Sequence, residues 1–251
     1  MNYKVPRQRN LYTPGVEKPF EISRSKIDAF IKCRRCFYLD RRLGISQPPF
    51  PPYTLNNGVD RLLKSEFDIY REKGEKHPIM EEYNVDAIPI DHPELDHWRF
   101  NFKGVRYFNE DLNIIFFGAI DDLWLNSSGE YVIVDYKSTS KKDDIIELDQ
   151  PWHNGYKRQM DIYQWLLSKN GYSVSDTGYF LYCNADTYKE RFDAFMGFRL
   201  TLHSYHGNRF WVEDTIIELY ECLNLNDIPE ASPECYYCEY SGATISALSV
   251  N

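Results

Sequence analysis

The chain has 251 residues, enough for one large domain or two small ones with a substantial core. Its aromatic content of 16%, with 20 Tyr and 15 Phe, excludes an intrinsically disordered chain. A formal net charge of −9 argues against a protein that coats nucleic acid non-specifically, and no apolar run approaches the ~18 residues needed to span a membrane.

The N-terminus, Met1 to Arg9, has basic residues but no apolar core behind them, so no signal peptide is read and the expected compartment is the cytoplasm. Residues 1–22 are polar and punctuated by Pro and Gly, an extended arm. A helix is expected over Ser23 to Cys33, with Ser25 as N-cap, Asp28 three residues on, and Ile27, Phe30 and Ile31 opening its buried stripe. The next stretch, Arg34 to Arg42, is the most basic in the chain: Arg34, Arg35, Arg41 and Arg42 with Tyr38 either touch phosphate and stack on bases or lay their stems over aromatics. Gln47 to Pro52 is a stiff Pro-rich linker. Leu55, Val59, Leu62, Leu63, Phe67 and Tyr70 then recur at helical spacing.

Residues 73–96 show no period. From Trp98 an alternating pattern through Phe100, Phe102, Val105 and Tyr107 reads as an antiparallel meander that turns at residues 109–111 and runs into a β-hairpin. In that hairpin Phe117 to Trp124 faces Tyr131 to Thr139 across a three-residue loop, Ser127-Ser128-Gly129, with Gly in the left-handed position. Asn126 then pairs with Glu130, and Asp121 comes opposite Asp135. Lys137 shares the face of Asp135, because side chains alternate along a strand. Two like charges across a strand pair are destabilising; among apolar neighbours they must share a proton, take a cation partner or bind a metal. The constellation suits a hard divalent cation and a phosphate ester; solvated side chains or a plain ion pair are the competing readings. Asp122 faces the other way. Further on, a helix over Asn154 to Ser168 places Gln159 and Tyr163 on one face. Strands at Gly178 to Cys183 and Ala194 to Ser204 and a helix over Phe210 to Leu223 follow.

Taken together, Gly118-x-x-Asp121, Asp135-x-Lys137 and Gln159-x-x-x-Tyr163, in that order, resemble the PD-(D/E)XK nuclease superfamily. With Ser23-x-Ser25, Phe30, Cys33-x-x-Cys36 and Phe37-Tyr38-Leu39 upstream, the resemblance is to the RecB-like branch, which includes helicase-associated and CRISPR-adaptation exonucleases. It implies an α/β fold with a restriction-endonuclease-like core, a mixed central β-sheet flanked by helices, in one domain over residues 23–251. It implies that Asp121 and Asp135 ligate Mg²⁺ or Mn²⁺, that Lys137 positions the attacking water and stabilises developing charge, and that Gln159 and Tyr163 orient the backbone of the substrate or Lys137. The expected substrate is DNA, single-stranded or at ends, and the expected partners are a helicase or a recombination or adaptation protein. The branch usually carries a His, often followed by a Glu, after a Gly on its second helix. This chain has Gly58-Val59-Asp60, so Asp60 is either the third metal ligand or a first-turn acid complementing the helix dipole.

Cys33-x-x-Cys36 and Cys235-x-x-Cys238 form a candidate Cys₄ site, for zinc or an iron–sulfur cluster. The resemblance favours a [4Fe–4S] cluster stapling the two terminal segments, although the branch typically divides its cysteines one and three rather than two and two. Cys183 and Cys222 read as core, and the six His residues as surface or loop positions. Two other function classes stay open at this point: a catalytically inactive nucleic-acid-binding or assembly subunit, and a nuclease directed at RNA.

Overall fold

The structure, a computed structural model of the chain, describes residues 6–49, 51 and 53–249. Residues 1–5 of the expected arm, Phe50 and Pro52 of the linker and residues 250–251 lie outside the described residues. Two compact units are formed: Pro52–Tyr107 with Gly118–Arg209, and Met1–Pro51 with Phe108–Phe117 and Phe210–Asn251.

The first of these holds a five-stranded mixed sheet. In chain order its elements are α3 (Thr54–Lys73), α4 (Pro78–Glu82), β2 (Ala87–Pro89), α5 (Leu95–Arg99), β5 (Asp122–Asn126), β6 (Tyr131–Thr139), α6 (His153–Lys169), β7 (Thr177–Ala185) and β8 (Phe198–His206). The strand order is β2-β5-β6-β7-β8, with β6 and β7 parallel and the other neighbours antiparallel. A parallel pair needs a crossover, and α6 supplies it. Along β6, Val132, Val134 and Tyr136 pack with Val59, Leu63 and Phe67 of α3 and with Trp124. Phe67 stacks on Trp124 at 5.6 Å and on His77 at 4.4 Å. The alternate residues of β6 turn to α6, which approaches closely because Gly178 has no side chain: a Cβ there would lie 2.4 Å from the Met160 sulfur. This is the expected α/β class, a mixed sheet flanked by helices.

The hairpin β5–β6 has the expected register, from Asp122 opposite Val134 to Leu125 opposite Tyr131. Gly129 closes its loop at φ +77°. Pairing starts at Asp122, so Asp121 sits in the bend just before the strand rather than within it. Other expectations fail. The segment read as aperiodic folds into α4, β2 and the start of α5, elements too short to show a period. Leu55 and Leu62 are exposed, so the buried stripe of α3 is Val59, Leu63, Phe67 and Arg71. The continuous meander is absent as well: Trp98 lies in α5, Phe100 and Phe102 are exposed, and the strand preceding the hairpin belongs to a different sheet.

That second sheet has the order β1-β4-β3, from β1 (Phe20–Ser23), β4 (Ile114–Gly118) and β3 (Val105–Asn109). In its unit β1 runs parallel to β4, pairing Phe20 with Ile114 and Ser23 with Phe117. Helices α1 (Arg24–Lys32), α2 (Arg34–Arg42), α7 (Trp211–Leu223) and α8 (Tyr236–Leu248) complete it. The N-cap of α1 is Ser23, not Ser25; the two hydroxyls hydrogen-bond to each other at 2.9 Å. Asp40 of α2 is buried and salt-bridged to Lys26 at 2.7 Å, Arg41 at 2.8 Å and Arg7 at 3.1 Å. Burial would raise its pKa, but these three cations outweigh that and lower it. A depressed folded-state pKa gives stability that is present above the ordinary carboxylate value of about 3.9 and is lost as pH falls through the folded value. Urea midpoints of wild type and Asp40→Asn should therefore differ at pH 7 and converge as the pH is lowered below about 3.9. A difference that persists undiminished at the acid end contradicts the assignment.

Candidate active site

Alternation on β6 sends Asp135 and Lys137 to the α6 face, where α6 presents Gln159 and Tyr163 one turn apart. Lys137 forms an ion pair with Asp135 and donates to Gln159 Oε1 at 3.2 Å. Gln159 Nε2 donates to Asp135 Oδ1 at 2.7 Å and to the Tyr163 hydroxyl at 2.9 Å. The Lys137 ammonium also lies over the Tyr156 ring, 4.3 Å from its centroid. Burial would lower the pKa of Lys137, but Asp135 and then Asp121 outweigh it, so the side chain is held firmly as a cation.

Asp121 enters from the bend before β5. Its Oδ2 accepts the Tyr136 backbone N–H at 2.9 Å, which fixes the carboxylate beside β6. Its Oδ1 accepts from Lys64 of α3 at 3.2 Å, and the same ammonium reaches Asp60 Oδ2 at 3.0 Å. Asp60 has its pKa raised by burial and by the neighbouring Asp121 charge, against the opposing pull of Lys64. Asp60, Lys64, Asp121 and Lys137 line one cleft together with Asn57 and Tyr156. Asp60, Asp121 and Asp135 offer only oxygen donors, which fits a hard divalent cation. Lys64 was invisible to sequence reasoning; its spacing of four residues from Asp60 is the only signal that could have found it.

Behind the bend lies a second acid. Asp122 is fully buried on the opposite face, as expected from alternation. Arg71 and Arg99 both ion-pair with it, Arg99 at 2.6 Å, and it accepts from Trp124 Nε1 at 3.0 Å and the Tyr136 hydroxyl at 2.9 Å. Arg99 also donates to the Asp121 backbone carbonyl at 3.1 Å and to Asp68 at 2.8 Å. This network holds the backbone on which Asp121 rides.

In the basic stretch of α2, Arg34 is exposed while Arg35, Tyr38, Arg41 and Arg42 each have a partner within the protein. Arg34 is ion-paired to Glu218; Arg35 donates to the Pro229 carbonyl at 2.9 Å. The buried Tyr38 donates to the Leu225 carbonyl at 3.0 Å, Arg41 is buried against Asp40, and Arg42 donates to the Leu223 carbonyl at 2.8 Å. Satisfying the carbonyls at and beyond the end of α7 is work that arginine does as well as phosphate binding. Of the histidines, His77 and His153 are buried rather than superficial: His77 accepts from the Ile79 N–H at 3.2 Å and bonds to Glu66 at 2.9 Å. Cys183 and Cys222 are buried, as expected.

Cys33, Cys36, Cys235 and Cys238 converge, with all four sulfurs within 4.8 Å of one another. Cys36 lies 3.5 Å from both Cys235 and Cys238, and Cys33 lies 3.7 Å from Cys238. A tetrahedral zinc with Zn–S bonds of about 2.3 Å separates its sulfurs by about 3.8 Å, so the spacing fits a single ion. Burial raises the pKa of Cys33, but N–H groups of Cys36 and Ser232 outweigh it and bring the thiol down to about 6. Cys36 and Cys238 are shifted the other way, upward, with burial as the first cause.

The mixed sheet and its helices thus bring Asp60, Asp121, Lys64 and Lys137 to one cleft. A family model for the PD-(D/E)XK nuclease superfamily matches residues 55–243. The chain belongs to that superfamily, of metal-dependent nucleases, and its fold is the restriction-endonuclease-like one. No curated protein matches it. Among solved structures, one described as "Crystal structure of SSO0001" is similar at 18% identity and a TM-score of 0.44, over 88% of this chain and 84% of that one.

Proposed function

We propose that this nuclease is a Mg²⁺- or Mn²⁺-dependent deoxyribonuclease of the RecB-like branch that acts on single-stranded DNA or DNA ends. The observation that carries the reading is the meeting of Asp60, Asp121 and Lys137 at one cleft, with Asp135 paired to Lys137. A divalent ion held by Asp121 and Asp135, with Asp60 as a third oxygen donor, would supply an activated water and neutralise phosphate oxygens. Lys137 places an ammonium where negative charge develops on the phosphorus. Gln159 clamps Lys137 and Asp135 together, and Tyr163 fixes the Gln159 amide.

Residues 23–251 are read as one nuclease domain, supported by a family match that draws on both compact units. The resemblance to the branch supports a helicase, recombination or adaptation partner. Among the described residues no helix is long and apolar enough to cross a membrane.

End-labelled single-stranded DNA, duplex DNA and RNA, each incubated with Mn²⁺, Mg²⁺ or EDTA, test the reading. Cleavage of single-stranded DNA that EDTA abolishes is expected. Preferential cutting of RNA would redirect the substrate, and DNA binding without cleavage would identify a binding subunit.

We propose that the four cysteines hold one structural zinc ion, with an iron–sulfur cluster as the alternative. Elemental analysis should find about one zinc per chain in the wild type and none in Cys235→Ser, whose melting temperature should fall. Iron with a visible absorption band would overturn the assignment.

A further inference from the structure

We propose that Lys64 is a resident counter-cation of the metal site, so that a divalent ion binds by displacing its ammonium from Asp60 and Asp121. The inference rests on the reading of these two acids as metal-binding. Lys64 lies one turn after Asp60 on α3, and side chains on a helix lean back toward its N-terminus. Its Nζ is thereby brought to Asp60 Oδ2 at 3.0 Å and on to Asp121 Oδ1 at 3.2 Å.

Of the two Asp121 oxygens, Oδ2 is engaged by the Tyr136 N–H. The oxygen turned toward a prospective ion is Oδ1, the one Lys64 holds. An ion bound there would sit within a few ångströms of the ammonium, where two positive charges repel strongly in a partly desolvated cleft. Ammonium and metal are therefore alternatives. Without either, the Asp60 and Asp121 carboxylates would share the cleft with no cation between them. A flexible lysine stem suits the exchange, because it can withdraw without backbone movement.

The test is Mn²⁺ affinity, measured by calorimetric titration at fixed pH on the full chain without nucleic acid. Lys64→Met should bind Mn²⁺ about tenfold more tightly than wild type, and Lys64→Arg, which keeps the charge, about as weakly as wild type. In EDTA, Lys64→Met should melt lower than wild type and gain more from added Mn²⁺, since ligand stabilisation follows affinity. Asp121→Asn should lose the site. Unchanged or weaker Mn²⁺ binding in Lys64→Met, with Asp121→Asn inactive in binding, overturns the role of Lys64 and leaves the metal site standing. Wild-type Mn²⁺ binding in Asp121→Asn overturns both.

Discussion

Lys137→Met is expected to cut the single-turnover rate of DNA cleavage by about 10²–10³-fold, the usual cost of removing one preorganised donor from a developing oxyanion. Lys137 is placed for that loss to be large. It is half of a buried ion pair with Asp135, it is fixed by Gln159 at 3.2 Å, and Tyr156 covers it. Methionine keeps the length of the stem and removes only the charge. The variant leaves Asp135 buried without its cation, a change worth about 3–5 kcal/mol of stability in comparable pairs, so the rate must be compared on protein shown to be folded by circular dichroism. DNA affinity in Ca²⁺ should change by far less than the rate, because the ammonium acts on charge that appears only as the bond breaks. A rate within tenfold of wild type would remove Lys137 from the chemistry.

The largest effect on stability is expected at Asp122. Asp122→Ala should lower the free energy of unfolding by about 3–5 kcal/mol, read from urea midpoints. The carboxylate is fully buried and receives Arg71, Arg99, Trp124 Nε1 and the Tyr136 hydroxyl. Deleting it leaves two guanidinium groups facing each other in the interior. Arg71 retains carbonyls of Ile90 and Leu123, and Arg99 retains Asp68 and the Asp121 carbonyl. Those bonds would keep both cations in place, so their repulsion is not relieved. The bend at Asp121 would lose part of its support, and cleavage should weaken along with stability. A loss below about 1 kcal/mol would mean that the network is solvated and dispensable.

The hairpin is legible in the sequence because two independent signals coincide there. A loop ending in a left-handed Gly129 sets the register, and strict alternation then sorts Asp135 and Lys137 from Asp122. The Gln159 and Tyr163 pair was equally legible, since a helix of 17 residues shows its face plainly. What escaped was fixed by tertiary contact. Helices α4 and α5 and strand β2 span 5, 5 and 3 residues, and Met80, Val85 and Ala87 settle by packing into the core around Trp124. Arg71 and Arg99 carry no local signal of their role, which arises only because the fold places Asp122 between them. The arginines of α2 show the converse limit: a charge run looks alike whether it faces a phosphate or caps a neighbouring helix.

The central claim is that Asp121 and Asp135 hold a divalent ion beside Lys137. Crystals of the wild-type protein soaked in Mn²⁺, with diffraction collected at a wavelength where manganese scatters anomalously, test it most directly. An anomalous peak bonded to a carboxylate oxygen of each of these two aspartates, with the Lys64 ammonium withdrawn from Asp121, is the predicted result. No peak in the cleft at saturating Mn²⁺, or a peak that touches neither aspartate, would contradict it.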